Sequence, residues 1–517
     1  MGSPRSKAWM VLGTGSGVGK SFITAGLCRI LASQGVRVAP FKAQNMSNNS
    51  FVTRDGGEMG RAQVVQAECA RVEPSVHMNP VLLKPAADNH SQVVIQGRAA
   101  GSMRAEAYYG LRKQIWSAIQ ESYDLLSREY DVLIIEGAGS PAEINLKEFD
   151  WVNFRVAEMA DARCLLVGDI DRGGVFAWLW GTLALLDETE RNRIDGLIIN
   201  KFRGDFKLLE PGLPMLENLC NKKVLGTLPY DLDLWIEEED ALKWEERTKI
   251  PSDLTQLDIA GLLFPRISNA TDFQILAQEP GVSLRWVRRP EELGSPDLLI
   301  LPGTKATIAD LLYLKKRGFI QEIKNYVQAG GRIMGICGGY QMLGELIEDP
   351  EAVESGVLHE AGLGFLSLRT QFASEKILRR VEGRAVQHLF GYPVEGEITG
   401  YEIHMGQSES TAAATPFLEI RAAESGEPWR TEGMRDPSGR IFGTYLHGIF
   451  DAPGFRFSFL NALARSAGKK RPAPAPGDLP SISLVKERNY DKLAHLLREN
   501  LDLSFLEPCW KYSSRSV

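Results

Sequence analysis

The sequence predicts an α/β protein of two three-layer domains, each a largely parallel sheet between helices. Three observations point there: short apolar runs recur between helical stretches, two glycine-rich turns each follow such a run, and a charged stretch divides one series of runs from the next. A chain of 517 residues also exceeds what one hydrophobic core normally holds. With 44% hydrophobic and 24% charged residues it has ample material to bury. A formal net charge of −7 disfavours nucleic acid or an anionic membrane as the main partner, so small molecules are the expected ligands. The six cysteines form no C-x-x-C pair, so neither a disulfide framework nor a structural zinc site is expected. The longest uncharged apolar stretch, 173–186, falls short of the ~20 residues that span a bilayer, and the N-terminus shows no long apolar leader. A cytoplasmic location is expected.

In order along the chain, Trp9–Leu12, Val36–Phe41, Val132–Ile135, Cys164–Val167 and Leu197–Ile199 are continuous apolar runs, as expected of strands buried on both faces. Between them, 103–128 carries helical spacing, with Ala107, Leu111, Ile115, Ala118, Ser122 and Leu125 on one face. The charged stretch 237–256 marks a boundary, after which Leu257–Phe264, Leu298–Leu301 and Arg332–Ile336 begin a second series. A proline-rich run at 469–480 precedes a last helix-like piece, Lys486–Asn500. Domains are therefore expected at 1–245 and 256–460, with 461–517 as a proline-rich segment and terminal helix.

The first run leads straight into Gly13-Thr-Gly-Ser-Gly-Val-Gly-Lys-Ser21 and then a helix. Such a turn offers phosphate the backbone N–H groups and the positive end of a helix dipole. Thr14, Gly15, Ser16, Gly17, Val18 and Gly19 are the expected nucleotide cradle, Lys20 adds charge, and the Ser21 hydroxyl suits magnesium. The loop is a variant, because the strict P-loop pattern has glycine where Thr14 stands. Glu136 ends a predicted strand, where α/β ligands bind, and is the best carboxylate for the metal; Asp55 and Glu58 are weaker candidates. Asn200 ends another run and is a candidate for the nucleotide base, with a plain strand-end turn as the alternative.

In the second half, G-I-C-G-G-Y-Q places Cys337 on a turn between an apolar run and a helix. A nucleophile there stands exposed above the sheet, and the helix N-terminus favours its thiolate. Gly303, in L-P-G-T-K-A, and Gly338 are the expected oxyanion donors. His447 is the expected base, while Gln341 and His404 are assigned to the wall of the substrate pocket.

These motifs, with PFKAQNMSNNS, GEMGRAQ, HMNPVLLKP, SQVVIQG and GYEIHMG, resemble the cobyric acid synthase family over nearly the whole chain. The first half is similar to dethiobiotin synthetase-type P-loop proteins and the second to class I glutamine amidotransferases with a flavodoxin-like sheet. The resemblance implies that glutamine is hydrolysed through a Cys337 thioester and that ATP, with magnesium, activates corrinoid carboxylates for amidation at four positions. Cobalt would arrive within the substrate, not on a protein ligand. Many amidotransferases carry His-Pro-Glu, whereas this chain reads His447-Gly-Ile-Phe-Asp451; a dyad is the simplest expectation, with Asp451 as a substitute acid. Polar residues 44–49, Asn79, Lys84 and Asn89 are candidates for the corrin periphery. The paralogous a,c-diamide synthase and a partitioning-type ATPase with an inactive glutaminase-like module are the rival readings.

Overall fold

The computed structural model describes residues 6–511 apart from 88–89, 105–107, 109, 232–233, 238–254, 355, 386–387, 414, 424–426 and 472–480. Most of the charged stretch and of the proline-rich run, together with Asn89, lies outside the described residues.

The five apolar runs of the first half become strands of a six-stranded sheet, ordered Lys223–Pro229, Ile194–Phe202, Arg163–Asp169, Lys7–Gly13, Val132–Glu136, Val38–Phe41. All its pairings are parallel. The strands are continuous in apolar residues because both faces are covered. Met10 and Leu12 pack with Ile115, Ile119 and Leu179 on one side, and Trp9 and Val11 with Ile23, Leu27, Leu493 and Leu497 on the other. The carboxyl ends of these strands all point to one rim, where the glycine loop lies.

A four-stranded side sheet runs Gln44–Met46, Val81–Ala87, His90–Ile95, Arg98–Arg104. It takes the start of the helix expected over 103–128: Met103 and Arg104 belong to its last strand, and the long helix of this stretch is Arg112–Glu129. Residues 98–104 are instead the returning arm of a hairpin, whose turn residues Gln96 and Gly97 both take positive φ, at 44° and 80°. The buried helical face ends on Leu126, while Leu125 is turned outward.

The second half forms one large mixed sheet. Its parallel part is Val282–Val287, Leu257–Leu262, Leu298–Leu301, Ile333–Ile336 and Ile441–Thr444. Antiparallel strands Arg430–Arg435, Pro416–Ala422 and the long Leu368–Ala385 and Glu397–Ser410 pair extend it. That extension leans on the first domain: Tyr401 packs with Val52 in a small apolar cluster, and the Arg380 guanidinium donates to the Val52 carbonyl (3.0 Å); from the loop before Ala270–Gln278, the Asn269 side chain accepts from Ser50 N (2.9 Å).

The terminal helix, Ile482–Asn500, does not stay with the second domain. It returns to the first and covers the helix Lys20–Ser33 that follows the glycine loop. A Cβ on Gly26 would stand 2.6 Å from the Leu497 Cδ2, so the glycine lets the two helices approach closely and a larger residue would force Leu497 to shift. Arg29, fully buried, is paired to Glu487 (2.6 Å) and Asp491 (2.8 Å) of the same helix. Leu497→Ala is expected to lower the stability of the first domain by about 2–5 kcal/mol. The urea midpoint of its unfolding transition checks this; an unchanged midpoint would mean that the helix is not part of that core. Among the described residues, no helix is long and apolar enough to cross a membrane.

Candidate active sites

Two cavities carry the chemistry-bearing residues. The larger opens at the rim of the first sheet and is lined by Ser16, Gly17, Gly19, Lys20, Ser21, Glu136, Asn200 and Lys201, among others. The strand Lys7–Gly13 ends at the loop and the next helix begins at Lys20. Gly19 takes φ 104°, and a Cβ on it would come within 2.0 Å of the Asn200 Nδ2. A side chain there is excluded by both conformation and space.

Lys20 Nζ donates to the carbonyls of Gly15 (2.8 Å) and Gly139 (3.0 Å), which holds its charge over the loop. Thr14, Gly15 and Val18 do not line the cavity; Val18 is buried in the core behind the loop. Asn200 lines the cavity, as expected of a residue beside the nucleotide, and its side-chain N–H₂ also donates to the Val18 carbonyl (2.8 Å), which braces the loop. Lys201 adds a second brace, bridging the Gly17 carbonyl (2.6 Å) and Asp169 (2.7 Å).

Glu136 is buried, and its carboxylate accepts from Ser21 Oγ (2.7 Å), Lys42 Nζ (2.9 Å) and Gln66 Nε2 (2.5 Å). Burial alone would raise its pKa, but the Lys42 charge and these donors outweigh it and hold the group below the usual carboxylate range. Ser21 and Glu136 thus present two adjacent hard oxygens at the head of the loop, a donor pair that fits magnesium. Asp55 does not join them. It is exposed and closes a turn by accepting from Thr53 Oγ1. Glu58 lies elsewhere too, buried between Lys84 (2.7 Å) and Lys376. Asn79, proposed for the corrin periphery, is spent on the fold: it donates to the carbonyls of Lys42 and Val81 and accepts from Gly60 N.

The smaller cavity is lined by Cys337, His447, Gln341, His404, Thr304, Lys305, Glu354 and, from the first domain, Lys84. Cys337 stands between the strand Ile333–Ile336 and the helix Gly338–Leu343 with φ 49° and ψ −110°. This is a strained conformation for a residue with a Cβ, and it aims the thiol out of the turn. The G-x-C-x-G spacing has a steric origin. A Cβ on Gly339 would stand 1.9 Å from the Leu301 carbonyl oxygen, and one on Gly335 would stand 2.6 Å from the Gly339 carbonyl oxygen.

His447 brings its ring against the Cys337 thiol, and Gly303 faces the same ring, its pro-Cβ position 3.2 Å from the His447 Cε1. On the far side, His447 Nδ1 bonds to Asp272 Oδ2 at 2.7 Å, and Gly448 N donates to Asp272 Oδ1 at 3.1 Å. The ring also stacks on Tyr401 (5.3 Å between centroids). Burial pushes the imidazole pKa down, but Asp272 and the neighbouring thiol overcome it and raise the group to about 10.

The acid that completes a triad geometry is therefore Asp272, which corrects the expected dyad and the substitute Asp451. Burial pushes Asp451 up to about 7, with Glu237 and Asp272 adding to the rise and Lys486 and Arg61 opposing it. Asp272 sits in the 3₁₀ segment Ala270–Gln278, with no motif around it, so nothing local marked it. Gln341 donates to Tyr445 (3.2 Å) and accepts from Thr307 Oγ1 (2.9 Å), and His404 stacks on Tyr445 (3.8 Å); both stand in the cavity wall.

Comparison with known proteins places both halves. Residues 9–242 match the CobQ/CobB/MinD/ParA nucleotide binding domain family, and residues 258–455 match the CobB/CobQ-like glutamine amidotransferase domain family. The chain is 47% identical over 509 residues to a cobyric acid synthase of Alkaliphilus metalliredigens, covering 96% of this chain and 98% of the relative. It is 46% identical over 502 residues to one of Listeria welshimeri, covering 97% and 96%. Among solved structures, PurLQS from Thermotoga maritima aligns at TM-score 0.29 and 18% identity, over 40% of this chain and 96% of that one. The MinD cell division protein of Aquifex aeolicus aligns at TM-score 0.27 and 14% identity, over 44% and 84%.

Proposed function

The chain belongs to the cobyric acid synthase family and is a glutamine-hydrolysing, ATP-dependent amide ligase of cobalamin biosynthesis; from that premise we propose its substrate and the residues that act on it. The substrate is adenosylcobyrinic acid a,c-diamide, amidated at its b, d, e and g carboxylates to adenosylcobyric acid. The observation that carries the glutaminase half is the Cys337–His447–Asp272 array.

Cys337 sulfur attacks the carboxamide carbon of glutamine, and the N–H groups of Gly303 and Gly338 receive the oxyanion. The imidazolium of His447, oriented by Asp272, gives its proton to the leaving nitrogen. Ammonia departs and a thioester remains. His447 then takes a proton from water, whose oxygen displaces the thiolate and releases glutamate.

In the first domain, a substrate carboxylate attacks the γ-phosphorus of ATP, ADP leaves, and the acyl phosphate is displaced by ammonia with release of phosphate. Lys20 and the loop N–H groups hold the transferring phosphoryl charge. Ser21 and Glu136 would hold magnesium, which when bound supplies further neutralisation of phosphate charge. Ammonia must reach the acyl phosphate without becoming ammonium, so the proposal includes a sheltered route from Cys337 to the larger cavity.

Incubation with adenosylcobyrinic acid a,c-diamide, glutamine and ATP, followed by mass spectrometry of the corrinoid, is expected to show successive acid-to-amide steps ending at the fourth. An unchanged corrinoid mass would overturn the substrate assignment.

A further inference from the structure

Glutamine differs from other primary amides by its α-ammonium and α-carboxylate groups, so a selective pocket must carry opposite charges a few bonds beyond the nucleophile. The smaller cavity holds such a pair. Lys305 follows the Gly303 loop, lines the cavity with Cys337, and makes no ion pair or side-chain hydrogen bond among the described residues. Near enough to feel its charge, Glu354 is fixed through one carboxylate oxygen, which accepts from Thr307 N, while its Oε2 is buried without a hydrogen-bond partner. The other cations at this end are occupied: Lys84 and Lys376 share Glu58, Lys84 also donates to Ser50 Oγ (2.8 Å), and Lys376 to Gln92 Oε1 (3.2 Å). Phe372 and Met405 supply apolar wall between the two ends, suited to the methylenes of the substrate.

Resting on the glutaminase reading above, we propose that Lys305 binds the α-carboxylate of glutamine and Glu354 its α-ammonium, in a subsite closed on one side by Lys84 of the first domain. The electrostatics agree. Burial and the charge of Lys84 push the Lys305 ammonium down, and burial pushes Glu354 well above the usual carboxylate range. Each partly offsets the other, yet burial outweighs that attraction in both, and an incoming zwitterion offers each a further counter-ion. The contribution of Lys84 and Glu58 also makes the amino-acid end of the pocket a product of both domains.

The test is ammonia release from glutamine, from glutaramate, which lacks the α-amine, and from 4-aminobutanamide, which lacks the α-carboxylate. The full-length wild-type protein is expected to favour glutamine over either analogue in kcat/KM. Lys305→Met is expected to raise the KM for glutamine by about 10- to 100-fold while leaving kcat/KM for 4-aminobutanamide where it was, and Glu354→Gln to do the same with glutaramate as the insensitive substrate. Wild-type indifference to the two analogues, or an equal loss on all three substrates in both variants, would overturn the subsite alone. A wild-type protein that releases no ammonia from glutamine would remove the glutaminase reading and the subsite with it.

Discussion

Cys337→Ala abolishes glutamine-supported amidation, a fall on the order of 10⁵-fold or more, while ammonium salts at alkaline pH still drive the reaction. The size follows from the chemistry: without the sulfur there is no thioester, and the remaining oxyanion donors have no covalent intermediate to stabilise. The sparing of ammonia-driven turnover follows from the division of labour, because the phosphate loop and Glu136 lie on the other sheet. Alanine is a mild change for the fold, since beyond its contact with the His447 ring the thiol reaches only the Ile403 carbonyl, at 3.8 Å. The two nitrogen sources are compared by amide formation on the corrinoid. Loss of the ammonia-driven reaction along with the glutamine-driven one would refute the assignment of the two steps to separate domains.

Asp272→Asn is expected to cut glutamine hydrolysis by about 10²- to 10⁴-fold with little change in glutamine KM. The carboxylate holds the imidazole in one tautomer and balances its positive charge; an amide can turn its N–H₂ toward Nδ1 and do neither. A rise from the ordinary 6.5 to about 10 also ties His447 to stability. A raised histidine pKa means that the folded state binds the proton more tightly. The stabilisation is therefore complete below pH 6.5 and is lost as pH climbs through about 10. Wild-type protein should lose resistance to urea across that window, and Asp272→Asn should show a flatter profile. Asp451→Asn, by contrast, should leave the tautomer intact. If Asp451→Asn were the more damaging of the two in kcat, the triad would have to be redrawn around it.

The two centres differed in how far they could be read beforehand. The phosphate loop is contiguous, and each of its features depends on the next few residues: a strand end, glycines able to take positive φ, and a helix N-terminus. Its surroundings were harder to read. Asn200, a candidate for the base, lines the cavity and also braces the loop through a 2.8 Å bond to the Val18 carbonyl, a task nothing in its neighbourhood announced. Asp55 stood in a glycine-rich run that resembled a ligand loop and is a turn. Cys337 was marked by glycines whose absence of a side chain is required by carbonyls passing under 3 Å away. Asp272, 175 residues before its partner, had no such surroundings. Lys84 was read toward the corrin, whereas strand pairing within the side sheet carries it to the glutaminase cavity.

By itself the sequence determined whatever short-range sterics and periodicity can encode: the buried parallel strands, the two glycine turns with Lys20 and Cys337 on them, and the presence of two α/β domains. The tertiary structure alone decided which acid meets His447, that the last helix returns to cover the first, and that one wall of the second pocket belongs to the other domain. The reason is the range of the forces involved. A turn is selected by the backbone freedom of neighbouring residues, whereas a buried ion pair forms only after layer packing has excluded water and brought together groups that the chain holds far apart.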